Sequence, residues 1–385
     1  MQWTVQVEDG PRRVNHAAVS VQDRYVFSFG GFFSGDEYLH MEKIDVHIFD
    51  LNHLKWTKLK IPTRDDDDYE FVPYMRYGHT ASAIGDKIYL YGGCNELYGA
   101  CDRLYCFDIN TFKWSMPEVS GSIPPARDGH SACVIGEKIY VFGGFEERSE
   151  CFSKDVYILD TKTMKWTHPH VFGQPASWRD FHTATAIGRY MYIFGGRGDV
   201  LGEEHSSEEI YDNQVVVFDT ETYSWHWLLT KGISPIGRRS HSAVAYGRCI
   251  YLFGGYNALE QQHYGDILKF DTDKRQWSTI VVPGGHPCPR RRHCCCLMGE
   301  KAVIFGGSSP NHDVASEVEE ADNSLQDHND LYLLDLNPSL KTLCKLAVVK
   351  YKLYDELLPQ QLKRELAHML PKPSPRIQNS SLSQG

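Results

Sequence analysis

No apolar run in the 385-residue chain approaches the ~20 residues that span a bilayer, and no leader-like apolar segment follows Met1. These absences predict a non-membrane protein of the cell interior, in cytoplasm and nucleus. Cys-x-x-Cys pairs are lacking too, and the cysteines number eleven, an odd count. Neither a disulfide framework nor a structural zinc site is therefore expected. Cys294, Cys295 and Cys296 lie together in an apolar run and read as buried strand thiols. Basic excess is absent: 40 Lys and Arg face 50 Asp and Glu, for a net charge of −10. Duplex DNA is thus a poor partner, since phosphate neutralisation needs a basic face. Part of the acid sits in DDDD (65–68) and SEVEEAD (316–322), both read as solvated turns.

What the chain has is repetition. A Gly-Gly pair ends an apolar run six times, in FSFGG (27–31), LYGG (90–93), VFGG (141–144), IFGG (193–196), LFGG (252–255) and IFGG (304–307). The intervals are 62, 51, 52, 59 and 52 residues. Ahead of each pair stands a His at the head of a strand (His16, His79, His130, His182, His241, His293), and three residues before each His an Arg. Strands ending in Asp or a like position follow, such as VHIFD, LYCFD and VYILD, and then a Trp: Trp56, Trp114, Trp166, Trp225 and Trp277. Such a unit resembles the kelch repeat and predicts an all-β fold, a six-bladed propeller over residues 1–337. The sixth unit lacks its Trp strand, and Trp3 stands ten residues before the first repeat Arg, so residues 2–7 are expected to complete it.

Residues 338–370 have no place in such a ring. Leu340, Leu343, Cys344 and Ala347 follow helical spacing, with Ser339 as N-cap. A second helix is read over 356–370, with Pro359 early in it. Two such helices cannot hold a core of their own, so their apolar stripes must bury elsewhere. The last stretch, 371–385, is rich in Pro and Ser and reads as disordered.

SLKTLCKLA resembles the elongin-binding box of cullin-RING substrate receptors, through Ser339, Leu340, Cys344 and Ala347. Leu358-Pro359-Gln360-Gln361-Leu362 resembles the cullin-2 box, with Leu358, Pro359 and Leu362 as its cullin-binding residues. Together with the propeller, the chain is similar to the kelch-domain-containing receptors of cullin-2 ubiquitin ligases. The resemblance implies elongin B, elongin C, cullin-2 and its RING subunit as partners. It implies a non-catalytic receptor that delivers clients for ubiquitination and proteasomal degradation. The client feature it implies is a C-terminal degron ending in Gly, of Arg-Gly, Lys-Gly or Gln-Gly type.

Loops before the His and after Gly-Gly should emerge on one face of a propeller. That face would carry Arg197, Arg239, Arg291 and Arg292 on one side, and Tyr77, Asp128, Asp180 and Phe145 on the other. Arginines clustered in a concave site suit a carboxylate, which each grips with paired N–H bonds. By the resemblance and by its place after Gly-Gly, Arg197 is the first expected anchor, followed by Arg239, Ser240 and Arg292. Arg291, Phe181 and Tyr256 complete the expected surround, and Asp128 and Asp180 are expected to receive a basic ligand residue. Arg239 departs from the best-understood relative, which has Ser there. The repeat Args themselves read as structural ties. The chain's own end, Gln384-Gly385, resembles the implied ligand, so self-occupancy or self-association is expected. A kelch scaffold for chromatin or actin without ligase recruitment is the alternative. No extra Tyr, Cys or His group marks a copper-oxidase site, so no catalytic residue, metal or cofactor is expected.

Overall fold

The computed structural model describes residues 1–34, 41–282, 284–311, 325–353 and 356–369. SEVEEAD and the Pro/Ser-rich tail with Gln384-Gly385 lie outside them.

Each repeat folds into a four-stranded antiparallel blade. In blade one the spatial order is Ala17–Val21, Tyr25–Phe29, Val46–Asp50 and Lys55–Lys58. The His-led inner strands, Ala17–Val21, Tyr77–Ile84, Ser131–Ile135, Thr183–Ile187, Ser242–Tyr246 and Cys294–Met298, each touch the next, and the last touches the first. The fold is thus the closed, all-β, six-bladed propeller that the repeat predicts. A buried hydrophobic cluster fills each of the six blade interfaces. Each interface uses the outer-strand Trp of one blade against the residue before Gly-Gly of the preceding blade. Trp166 packs on Tyr91, Trp225 on Phe142 and Trp277 on Phe194, all at 5.1 Å between ring centroids.

Blade six takes its outer strand from the N-terminus. Gln2–Val7 runs antiparallel to Leu331–Asp335, pairing Gln2 with Asp335 and Val7 with Leu331. Trp3 is buried, edge-on to Tyr332 at 6.0 Å, in one cluster with Phe253 of blade five. At the seam between blades six and one, the Gly307 N–H donates to the Arg13 carbonyl at 2.9 Å. Four other blade junctions repeat this bond, from the second glycine to the next blade's repeat Arg.

The repeat Args act as ties. Arg76, Arg127, Arg179, Arg238 and Arg290 each donate Nη1 to the carbonyl of the first glycine of their own blade, at 2.7–3.2 Å. Arg13, Arg127, Arg179, Arg238 and Arg290 also meet a carboxylate. One acidic run differs from its sequence reading: Asp68, the last of DDDD, is buried and accepts the Trp114 N–H at 2.9 Å.

Two helices follow blade six. Helix α1 spans Leu340–Lys350, and the Ser339 hydroxyl accepts the Thr342 N–H at 3.2 Å, the expected cap. Helix α2 spans Gln360–Met369. It starts later than the segment read from sequence because Pro359 has no N–H and its carbonyl takes the first helical bond, from Lys363. α2 leans on Gln2–Val7 and buries Leu366, while α1 touches α2, with Lys341 and Lys345 against Glu365. No residue of α1 is buried.

Candidate client-binding face

The residue just before each His adopts a left-handed backbone: Asn15, Gly78, Gly129, Phe181, Ser240 and Arg292, with φ between 47° and 67°. Their peptide groups form a closed circle around the axis. Gly78 N–H donates to Asn15 O, Gly129 to Gly78, Phe181 to Gly129, Ser240 to Phe181, Arg292 to Ser240, and Asn15 back to Arg292, all at 2.7–3.0 Å. Four of the six carry side chains despite the steric cost of that conformation, roughly 1–2 kcal/mol each. An axial cavity of about 120 Å³ opens here, and Phe181, Ser240 and Arg292 line it.

Behind this circle stand the six histidines. His130, His182, His241 and His293 pair through Nε2 with Thr80, Ser131, Thr183 and Ser242 of the preceding blade, at 2.7–3.0 Å. Ala17 and Cys294 replace the hydroxyl opposite His79 and His16. Burial holds the imidazoles far below their ordinary range, to about 3 for His16, His130, His241 and His293, so the ladder is neutral. Among the described residues, no group of three or more His, Cys, Asp or Glu side chains could hold a metal ion.

The next residue outward pairs across to the residue after Gly-Gly. Antiparallel bridges join Asp128 to Phe145, Asp180 to Arg197, Arg239 to Tyr256 and Arg291 to Ser308, and Tyr77 pairs likewise with Cys94. The two loop families therefore meet as neighbours on one face.

Arg197 is already engaged there. It grips Asp180 with Nη2 at 2.5 Å and Nε at 3.2 Å, reaches Glu209 at 3.5 Å, and lies over Phe152 at 5.3 Å. Asp180 is 1% exposed. Its carboxylate is engaged by Arg197. Phe145 packs against Phe152 and His205.

The cationic surplus lies in blades five and six. The guanidiniums of Arg239 and Arg291 sit 5.7 and 4.4 Å from the Tyr256 ring centroid, and Tyr256 packs at a tilt of 44° on His263, 4.5 Å between ring centroids. Burial, then Arg291, Arg292 and Arg239, push His263 down to about 4, so three guanidiniums bear on one neutral imidazole. Arg239 Nη2 lies 4.0 Å from the Glu209 carboxylate. Arg239 Nε, His263 Nε2 and Ser308 Oγ are buried without a hydrogen-bond partner. Sequence reasoning left His263 out because it stands on the short Gln262–His263 strand, outside both loop families. The opposite side is acidic. Burial, then the Asp180 charge, push Asp128 up to about 7, against the pull of Arg197. Tyr77 and Cys94 border Asp128, and burial drives both upward, Cys94 to about 11.

The helices present a separate surface. Leu340 is 77% exposed, and Leu343 and Cys344 are exposed beside it; Ala347 is half-buried. Leu358 and Leu362 are half-buried and Pro359 is exposed.

A closed ring of six such blades, tied by Arg and Gly-Gly, defines a kelch-type propeller. Residues 78–307 match the model of the KLHDC2/KLHL20/DRC7 Kelch-repeats domain. The chain belongs to the kelch-repeat family. It is similar to Kelch domain-containing protein 3 of Rattus norvegicus, 52% identical over 373 residues that cover 96% of each chain. The Homo sapiens protein of that name is 51% identical over 372 residues, again 96% of each. Host cell factor 2 of Homo sapiens is 31% identical over 254 residues, covering 62% of this chain and 31% of that protein. No helix among the described residues is long and apolar enough to cross a membrane.

Proposed function

We propose that this protein is the client-recognition subunit of a cullin-2/elongin B/C RING ubiquitin ligase, and that its propeller binds the free C-terminus of clients ending in Gly. It performs no catalysis. The observation that carries the reading is the convergence of Arg239, Arg291 and Arg292 on Tyr256 and His263. Unfilled buried donors at Arg239 Nε and Ser308 Oγ lie beside it. A desolvated Arg239 guanidinium with a buried donor open, set among further guanidiniums, favours a carboxylate over a neutral or cationic group. Arg292 and Ser240 on the axial circle would meet the terminal residue, where a close fit admits Gly and rejects a Cβ. Arg197, held by Asp180, frames the site, and Asp128 faces the residue upstream. The bare Leu340–Leu343–Cys344 face of α1 supports docking to elongin C, and Leu358-Pro359 at the head of α2 supports docking to cullin-2.

Peptides ending in Arg-Gly, Lys-Gly or Gln-Gly should bind as free acids, and elongin C should co-purify with the chain. Equal binding of acid and amide forms would overturn carboxylate capture. Failure to capture elongin C would leave a kelch scaffold without ligase recruitment. Cytoplasmic and nuclear residence follows from this reading.

A further inference from the structure

Five of the six repeat Args, all but Arg13, donate Nε to the carbonyl of the residue two positions earlier: Tyr74, Pro125, Ser177, Ile236 and Cys288, at 2.9–3.3 Å. The repeat therefore seats that residue's side chain beside a buried guanidinium. In blade four the occupant is Ser177, whose hydroxyl accepts Arg179 Nη2 at 2.7 Å. In blade six it is a thiol: Arg290 Nη2 donates to Cys288 Sγ at 3.3 Å. Blade six adds a second group. His328 Nε2 lies 3.4 Å from the same sulfur and 2.8 Å from Ser309 Oγ, and the His328 N–H is anchored on the Gly307 carbonyl at 2.9 Å. A base on one side and a cation on the other make a nucleophilic arrangement unlike that of the other described thiols. Cys133, Cys294, Cys295 and Cys296 are pushed upward by burial. Cys288 is half-buried, and a shallow pocket bounded by Trp3, Tyr264, Asp266 and Pro287 opens onto it.

We propose that Cys288 is a modification site, a thiol activated by His328 and Arg290 for oxidation by hydroperoxides. The Cys288 proton passes to His328 Nε2. The sulfur attacks one peroxide oxygen, an S–O bond forms and the O–O bond breaks. Sulfur is oxidised to a sulfenic acid, and the departing hydroxide takes the proton from His328 and leaves as water. Two further groups bear on the sulfur. Asp330 shares Arg290, binding Nη1 at 2.6 Å and Nη2 at 3.0 Å, and the Tyr332 phenol feels the Cys288 charge. Burial opposes ionisation, but His328 and Arg290 outweigh it and bring the thiol down to about 7. The inference stands apart from the client reading.

The test follows alkylation of each cysteine in the full chain by iodoacetamide from pH 5 to 9, read by peptide mass spectrometry, with dimedone trapping after hydrogen peroxide. Cys288 should alkylate with a half-rise near pH 7 and faster at that pH than exposed Cys344, and it should carry the dimedone adduct. His328→Gln, at unchanged melting temperature, should slow Cys288 at pH 7 about fivefold, the change in thiolate fraction at that pH when a thiol pKa of about 7 rises by one unit. A wild-type Cys288 slower than Cys344 at pH 7, or one that forms no dimedone adduct, would overturn the proposal; the wild-type arms hold even if the variant does not fold.

Discussion

The Arg291 guanidinium lies 4.4 Å from the centroid of the Tyr256 ring, and that ring also holds Arg239 at 5.7 Å. A shared aromatic face keeps two like charges close and dry. A carboxylate relieves their repulsion and fills the open Arg239 donor. Arg239→Ala should therefore weaken free-acid peptides ending in Gly by about 1.5–3 kcal/mol, roughly ten- to a hundredfold, by calorimetry. Amidation should weaken wild-type binding by a similar amount and cost the variant much less, because both changes remove one interaction.

Asp128 gives the site a pH dependence of definite sign. Its folded carboxyl holds a proton up to about 7, through burial first and the Asp180 charge second. The unfolded chain releases that proton near pH ~4. Between those values the folded state binds more protons, so stability falls as pH rises through the window and levels off above it. Asp128→Asn should flatten that part of the melting-temperature profile between pH 5 and 8. Peptides ending in Arg-Gly should bind more tightly as pH rises from 6 to 8, while those ending in Gln-Gly should not.

The ring was legible because a propeller repeats its constraints: His, Gly-Gly and Trp recur with the spacing of one blade, and each answers to one contact. The missing Trp after Leu331–Asp335 likewise had one candidate to replace it, Trp3. The face was legible as a set of loops, but its ion pairs were not. Nothing in the sequence says that Arg197 turns onto Asp180, because that choice depends on the bridge joining those two residues and on Glu209, twelve positions further on. Arg239 and Arg197 read alike as letters, yet one is committed and the other keeps a buried donor open. His263 and the Cys288–His328 pair were missed for a similar reason, since each depends on a short strand or loop placed by the blade rather than by local pattern.

Two glycines separate backbone strain from crowding. Gly85 and Gly306 both have positive φ, +57° and +68°. A Cβ on Gly85 would meet nothing within 4 Å, whereas one on Gly306 would come within 2.7 Å of both the Arg13 carbonyl and His16 Cε1. Gly85→Ala should cost only the left-handed penalty, about 1–2 kcal/mol. Gly306→Ala adds a clash across the seam that closes the ring, and its urea midpoint should fall well below that of Gly85→Ala at similar m-value.

The two helices should divide cleanly between stability and partner binding. Leu340 is 77% exposed and Leu366 is 4% exposed, against the strand Gln2–Val7 that completes blade six. Leu340→Asp removes no contact that the folded chain depends on, so melting temperature and peptide affinity should stay unchanged while elongin C capture is lost. Leu366→Ala leaves a cavity under α2, worth about 2–5 kcal/mol of docking, and should raise amide exchange in α2. Because α1 reaches the propeller through α2, elongin C affinity should fall only modestly in that variant. If Leu340→Asp instead lowered the melting temperature and spared capture, the α1 face would be an internal cap and the ligase reading would fail.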